Sequence, residues 1–118
     1  MPYQVRLMDD RAVIAAVFSG TVTISDRFEA MQAIVRCSEQ TGAMRLLADF
    51  RQARTEAASQ AETVAYAERL ADKLGTRKMT IAYVGSPEQT AGVETVAALR
   101  GYFYQRFPDE ESALRWLR

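Results

Sequence analysis

Residues 102–118 read YFYQRFPDEESALRWLR, and this stretch decides the fold. The aromatic run at 102–107 is typical of a strand, and Pro108 ends it because proline cannot donate to a sheet ladder. Asp109 then heads a short helix. This helix carries three apolar side chains, Leu114, Trp116 and Leu117. We expect it to pack on a sheet and to close the hydrophobic interior with the indole of Trp116.

Length and composition predict a single globular domain over residues 1–118. The chain has 118 residues, of which 48% are hydrophobic and 25% charged. A domain of this size buries about two-thirds of the surface of its unfolded chain, which is enough for one core. Lys and Arg number 15 and Asp and Glu number 15, so the net charge is zero. A neutral chain lacks the basic surface that nucleic-acid binding requires, and we expect no nucleic-acid partner.

Three features favour a cytoplasmic location. The single cysteine, Cys37, rules out an internal disulfide and fits a reducing compartment. The longest apolar run, residues 12–18, is far shorter than the roughly 20 residues that a membrane-spanning helix needs, so no stable membrane insertion is expected. The first residues, MPYQVRLMDD, lack the basic head and apolar stretch of a secretory signal.

The sequence contains no histidine. Histidine is the usual general base near neutral pH and a frequent metal ligand. Its absence excludes Ser–His–Asp and Cys–His catalysis, and with one cysteine it excludes a thiolate–imidazole zinc site. We therefore expect no metal, no cofactor and no enzyme activity, although carboxylate, lysine or tyrosine chemistry stays open.

Strands and helices alternate along the chain. The pattern predicts strands over 3–8 and 12–19, a helix to about 41, a strand over 45–50, a helix over 55–74, a strand over 79–84, a helix over 86–100, a strand over 102–107 and a helix from 109. The order β-β-α-β-α-β-α-β-α implies an α/β domain with a mostly parallel sheet. The first two strands form an antiparallel hairpin.

Local signals set the expected boundaries of these elements. Gly20 ends the second strand. Thr23 and Asp26 match a capping box at the start of the first helix, and Gly42 ends that helix. Thr55 caps the second helix, and Ser86, followed by proline, caps the third.

Four short segments occur in a familiar order and spacing: GTVTISD at 20–26, LLADF at 46–50, IAYVG at 81–85 and the closing segment at 107–117. Through them essentially the whole chain resembles the SpoIIAA-like branch of the STAS/SEC14-like proteins. The resemblance implies a five-stranded mixed sheet flanked by helices. Most such relatives are small bacterial proteins of unassigned role.

The resemblance also implies a mode of action. Anti-sigma-factor antagonists of similar fold bind a protein partner and are switched by phosphorylation of a Ser or Thr at the start of the second helix. That residue lies in an Asp-Ser-Ser/Thr-Gly-type motif. The equivalent stretch here, DFRQART at 49–55, lacks the motif and leaves Thr55 as the positional candidate for a phosphosite.

Ligands of parallel α/β sheets bind at the carboxyl ends of the strands. That edge would gather five candidate residues: Asp49, Arg51, Arg54, Thr55 and Ser86. The helix amides behind Thr55 and Ser86 and the guanidinium groups of the two arginines suit a phosphate or carboxylate. Alternatively, the two hydroxyl residues only cap helices and the arginines are solvated loop charges.

Other candidates have two interpretations each. Asp49 is either a carboxylate base or the partner of an arginine and of nearby amides. Cys37 is either a reactive thiol or a small buried hydrophobe. The aromatic strand either offers a dimer contact or apolar ligand groove, or packs under the last helix through Trp116. The segment at 85–87 follows a strand but lacks both glycine-rich nucleotide-binding motifs.

Three functions follow. The first is a non-catalytic STAS-like binding or regulatory module that acts through protein contacts and self-association as a homodimer. The second is a carrier of a small apolar or amphipathic ligand, as in SEC14-like relatives. The third is an enzyme that uses Asp49 with Arg51 or Arg54.

Overall fold

A mixed sheet lies at the centre of the structure. The computed structural model describes residues 2–8, 12–56, 59–70, 72, 79–85 and 103–117. The described elements are β1 (Tyr3–Met8), β2 (Val13–Val22), α1 (Ile24–Thr41), β3 (Arg45–Thr55), α2 (Gln60–Leu70), β4 (Thr80–Val84), β5 (Phe103–Phe107) and α3 (Glu110–Leu117). The helix predicted over 86–100 and the predicted strand start at Tyr102 lie outside the described residues.

The described strands form one five-stranded sheet in the order β1-β2-β3-β4-β5. β1 is antiparallel to β2, and the other neighbouring pairs are parallel. This is the mixed, mostly parallel sheet that the alternation of elements predicts, with its first strand antiparallel. The predicted fold class is confirmed.

The start of α1 is a capping box, as predicted. Thr23 Oγ1 accepts a hydrogen bond from the Asp26 amide at 3.1 Å, and Asp26 Oδ2 accepts one from the Thr23 amide at 2.9 Å. The helix ends at Gly42, whose φ of +78° is left-handed and whose amide donates to the Ser38 carbonyl. Buried Ser38 donates in turn to the Ala43 carbonyl at 2.6 Å, which fixes the turn into β3.

β2 and β3 are longer than predicted. Residues 19–22 of β2 pair in parallel with residues 52–55 of β3, so neither Gly20 nor Phe50 ends its strand. Gly20 has a φ of +70° and stays inside β2 because glycine has no Cβ to clash in the left-handed region. The predicted ends are wrong because exposed strand residues such as Gln52 and Arg54 resemble a polar loop in sequence.

Helices cover both faces of the sheet. On one face α1 and α2 pack against the larger core, where the rings of Phe18 and Phe50 stack 4.4 Å apart. Cys37 packs against this core but is only half-buried, which is less burial than the small-hydrophobe interpretation expects. On the other face α3 packs on a second cluster through Ala113 and Leu117.

The last helix closes the second cluster as predicted. Asp109 accepts hydrogen bonds from the Ser112 amide at 2.8 Å and from the Ser112 hydroxyl at 2.6 Å, so it caps α3. Half-buried Trp116 packs on the cluster, with its ring 5.4 Å from that of Phe107 at the end of β5. The interpretation that this strand packs under the last helix is therefore confirmed for Phe107.

Candidate functional site

Asp49 and Arg51 lie at a β-bulge in the central strand. Val17 pairs with Asp49 and Ser19 with Gln52, so β3 holds one extra residue at this point. Asp49 Oδ1 accepts a hydrogen bond from the Arg51 amide at 3.0 Å, which satisfies an amide of the bulge. The Arg51 side chain returns to the same carboxylate, with Nε 3.0 Å from Oδ1 and Nη2 2.8 Å from Oδ2.

In this ion pair the aspartate is buried and the arginine side chain is exposed to solvent. Asp49 is 6% exposed, whereas the Arg51 side chain is 41% exposed. The hydrogen bond from the Arg51 side chain holds the pKa of Asp49 below its usual range, although burial acts in the opposite direction. Bonding to Asp49 likewise raises the pKa of Arg51, with a smaller contribution from Glu110 and Asp109 at the head of α3.

These contacts limit the chemistry of Asp49. A general base is most effective when its pKa lies near the working pH. The Asp49 carboxylate is instead ionised more firmly than usual and already accepts three hydrogen bonds. The structure therefore shows the arrangement in which Asp49 pairs with an arginine and a nearby amide.

Gly85, directly after β4, packs closely against the backbone and side chain of Arg51. A Cβ built on Gly85 would lie 2.8 Å from the Arg51 Cγ and 3.1 Å from both its Cα and its amide nitrogen. Gly85 also has a φ of +65°, which favours glycine. The IAYVG segment thus ends on glycine because the Arg51 backbone and side chain approach this close.

The other predicted site residues do not join this pair. Arg54 and Thr55 lie farther along β3, where they pair in register with Thr21 and Val22 of β2. Arg54 is exposed. Ser86 lies outside the described residues.

The N-cap of α2 is Ser59, so the prediction that Thr55 caps this helix is wrong. Ser59 Oγ accepts from the Glu62 amide at 3.1 Å, and Glu62 Oε1 accepts from the Ser59 amide at 3.1 Å. These bonds hold the pKa of Glu62 below its usual range. Thr55 is still part of the sheet, because the amide of the next residue, Glu56, donates to the Val22 carbonyl at 2.8 Å.

Arg27, on α1, is a buried cation that sequence reasoning missed. It is 4% exposed, and its Nε has no hydrogen-bond partner in the described part of the chain. Its guanidinium carbon lies 4.4 Å from the ring centroid of Tyr66 on α2 and 5.7 Å from that of Phe50. Aromatic faces therefore stabilise this charge. No sequence signal marks it, since an arginine in the first turns of a helix is usually solvated.

A groove runs along α1 beside α2, with a volume of about 270 Å³. Its floor is apolar and consists of Phe28, Met31 and Val35. Its rim is polar and consists of Gln32, Arg36, Glu39 and Arg69. We call this feature the α1–α2 groove.

The described ranges contain neither a metal-binding cluster nor a helix suited to crossing a bilayer. No group of three or more His, Cys, Asp or Glu side chains in those ranges is placed to hold a metal ion. Among the helices described, none combines the length and the apolar character that crossing a bilayer requires.

Comparison with known proteins shows likeness in structure but not in sequence. The sequence matches no protein-family model and no curated protein significantly. Among solved structures, the unphosphorylated anti-sigma factor antagonist SpoIIAA superposes with a TM-score of 0.65 at 13% identity, over 98% of this chain and 97% of that one. The phosphorylated Bacillus cell fate determinant SpoIIAA gives 0.63 at 15% identity, over 98% of this chain and 99% of that one.

A third solved structure is similar to the same degree. It is an uncharacterised DUF3478-family protein from Shewanella loihica with a SpoIIAA-like fold, and it gives a TM-score of 0.64 at 21% identity. The superposition covers 98% of this chain and 92% of that one. Together with the mixed sheet and its flanking helices, these matches confirm the predicted resemblance at the level of architecture: the chain has the SpoIIAA-like fold.

Proposed function

We propose that this chain is a non-catalytic regulatory module that works by binding a protein partner. The observation that carries the proposal is the fold likeness to the anti-sigma factor antagonist SpoIIAA, which extends over 98% of this chain and 97% of that one. A cytoplasmic location belongs to the same proposal.

The state of Asp49 supports a binding role over an enzymatic one. Its carboxylate is engaged by both the side chain and the amide of Arg51. A substrate would have to displace the arginine before the carboxylate became available. The structural role of this pair is to fix the bulge and the end of β4, where Gly85 packs against Arg51.

In this proposal, phosphorylation between the end of β3 and the start of α2 regulates binding of the partner. Thr55 remains our phosphosite candidate from the sequence, and Ser59 is a second candidate because it heads α2. The Glu62 carboxylate accepts a hydrogen bond from the Ser59 amide. A phosphate on Ser59 would place at least one further negative charge beside this carboxylate. The repulsion would open this capping box and change the surface around the start of α2.

Affinity purification of the tagged chain from its native host, after mild chemical cross-linking, tests the proposal. We expect one protein to be enriched and to bind again when it is purified and mixed with the chain. Glu substitutions at Thr55 and at Ser59 then show which position controls the complex. If no protein is enriched and the chain sediments as a monomer at high concentration, the proposed function is wrong.

The carrier function has one feature in its favour, the apolar floor of the α1–α2 groove. The volume of the groove, about 270 Å³, lies slightly below the range of small-molecule pockets, roughly 300–1,000 Å³. A carrier would retain a lipid-like compound during purification. Native mass spectrometry of the freshly purified chain detects such a compound, and a bare chain mass would count against this second function.

A further inference from the structure

The shape of the α1–α2 groove favours a shallow contact along one helix. Its α1 residues follow the helical repeat from Phe28 to Glu39, a distance of about 16 Å at 1.5 Å per residue. Small-molecule pockets bury most of the surface of their ligand. The α1–α2 groove has a volume of about 270 Å³ spread over three helical turns, so it is too shallow to bury a small molecule in this way. Three turns of an opposing helix match this length, and helix-in-groove contacts use apolar anchors of this spacing.

The described residues of the groove rim carry an excess of positive charge, two arginines against one glutamate. Exposed Arg36 and Arg69 both line it, and the guanidinium carbon of Arg69 lies 5.8 Å from the ring centroid of Phe28 on the floor. Across the residues that the structure describes, neither arginine forms an ion pair. Among the lining residues that the structure describes, Glu39 is the single acidic one, and it lies at one end of the groove.

A third cation, Arg27, is buried beneath the groove. The Phe28 ring packs edge-on against Tyr66 with centroids 5.2 Å apart, and the buried Arg27 guanidinium lies over the same Tyr66 ring. Arg27 has no carboxylate partner among the described residues. Burial weakens the screening of this charge, so it adds to the positive potential at the groove.

We propose that the α1–α2 groove docks an amphipathic, acidic helical segment of the protein partner. Apolar side chains at i, i+3 or i+4, and i+7 of that segment would contact Phe28 and Val35. Asp or Glu side chains beside them would pair with Arg36 and Arg69, and the end of the segment near Glu39 would be neutral or basic. This inference rests on the proposed function and names the surface that carries it.

Site-specific photo-crosslinking in the native host tests this docking surface. The probe is benzoylphenylalanine incorporated at exposed Gln32 on the rim, and the control is the same residue at exposed Gln52, in the part of β3 beyond the bulge. We expect adducts from Gln32 whose cross-linked peptide has helical apolar spacing and an excess of Asp and Glu. Sequencing of that peptide by mass spectrometry decides the point.

Charge reversal provides the matched comparison. Arg36→Glu with Arg69→Glu should lower the yield of the Gln32 adduct about tenfold, because two cross-interface ion pairs become repulsive. Arg6→Glu with Arg45→Glu changes the net charge equally at exposed strand positions and should leave the yield within about twofold. Circular dichroism melting of both double variants establishes that they fold.

The outcomes separate the two proposals. A partner captured at Gln52 but not at Gln32, or an adduct insensitive to Arg36 and Arg69, overturns the groove assignment and leaves the protein-binding function intact. Capture of a second copy of this chain, or of a fatty-acyl compound, at Gln32 overturns it in favour of a homodimer or a carrier. Absence of any protein adduct at Gln32 overturns the groove assignment, and the protein-binding function is overturned as well only if affinity purification enriches no partner.

Discussion

Asp49→Ala removes the acceptor of three hydrogen bonds at the β-bulge. The guanidinium of Arg51 is 41% exposed and regains water, so loss of the ion pair costs at most about 1 kcal/mol. The Arg51 amide loses its acceptor inside the sheet, which costs about 1–2 kcal/mol. We therefore expect the free energy of unfolding to fall by about 2 kcal/mol, measured by urea denaturation.

Asp49→Asn separates charge from hydrogen bonding. The amide oxygen of asparagine can still accept from the Arg51 amide, so the expected cost is about 1 kcal/mol at neutral pH. The pKa of Asp49 is lowered in the folded state, so its contribution is complete above the unfolded carboxyl pKa of about 3.9. That contribution is lost as the pH falls through the lower folded value. The difference in free energy of unfolding between wild type and Asp49→Asn should thus stay constant from pH 5 to 8 and shrink below about pH 4.

The control for both variants is Glu111→Gln, which breaks the exposed ion pair between Glu111 and Arg115. Exposed pairs of this kind contribute little, so the expected change is below about 0.5 kcal/mol. The reasoning about the bulge is wrong if Asp49→Ala is no more damaging than this control. It is also wrong if the gap between wild type and Asp49→Asn widens as the pH falls.

Three further substitutions test separate parts of the fold. Gly85→Ala should cost about 1–3 kcal/mol in urea denaturation, because its methyl group meets the Arg51 backbone and the φ of +65° is strained for alanine; an unchanged midpoint would contradict the close approach. Trp116→Ala should cost about 2 kcal/mol, less than a fully buried Trp because the ring is half-buried against Phe107, and a melting temperature equal to wild type would show that the ring does not seal the cluster. Thr23→Ala should cost about 1 kcal/mol and lower amide exchange protection at the start of α1, whereas Thr23→Asp should retain most of both; equal losses in the two variants would argue against the capping box.

Local signals predicted the parts of the fold that depend on local contacts. The capping box at Thr23 and the glycine stop at Gly42 depend on neighbours within a few residues, and both are present in the structure. The closing helix was predicted in the same way, from Pro108 and the acidic Asp109 at its head, and in the structure Asp109 caps it and Leu117 is buried. These boundaries need no knowledge of the sheet.

The boundaries that failed depend on pairing between distant strands. β3 continues to Thr55 because β2 continues beside it past the bulge, and exposed residues such as Arg54 give no apolar alternation to reveal a strand. Thr55 resembled a helix cap for the same reason. The true cap, Ser59 with Glu62, has the Ser-x-x-Glu spacing of a capping box, whereas the third residue after Thr55 is an alanine.

The candidate site was predicted in part. The sequence predicts Asp49 at the end of an apolar segment and allows it to pair with an arginine or with nearby amides, and the structure shows that Arg51 provides both. The bulge that joins them was not predicted, because it arises from the register between β2 and β3. Buried Arg27 and the α1–α2 groove depend on how two helices pack, which a single sequence does not specify.

Native mass spectrometry of the tagged chain, isolated under non-denaturing conditions from the cells that produce it, tests the central claim most directly. The account predicts a complex whose mass equals one or two copies of the chain plus a different protein, and predicts that Arg36→Glu with Arg69→Glu releases that protein. A chain that carries only a small molecule, or that is always found alone, would contradict it.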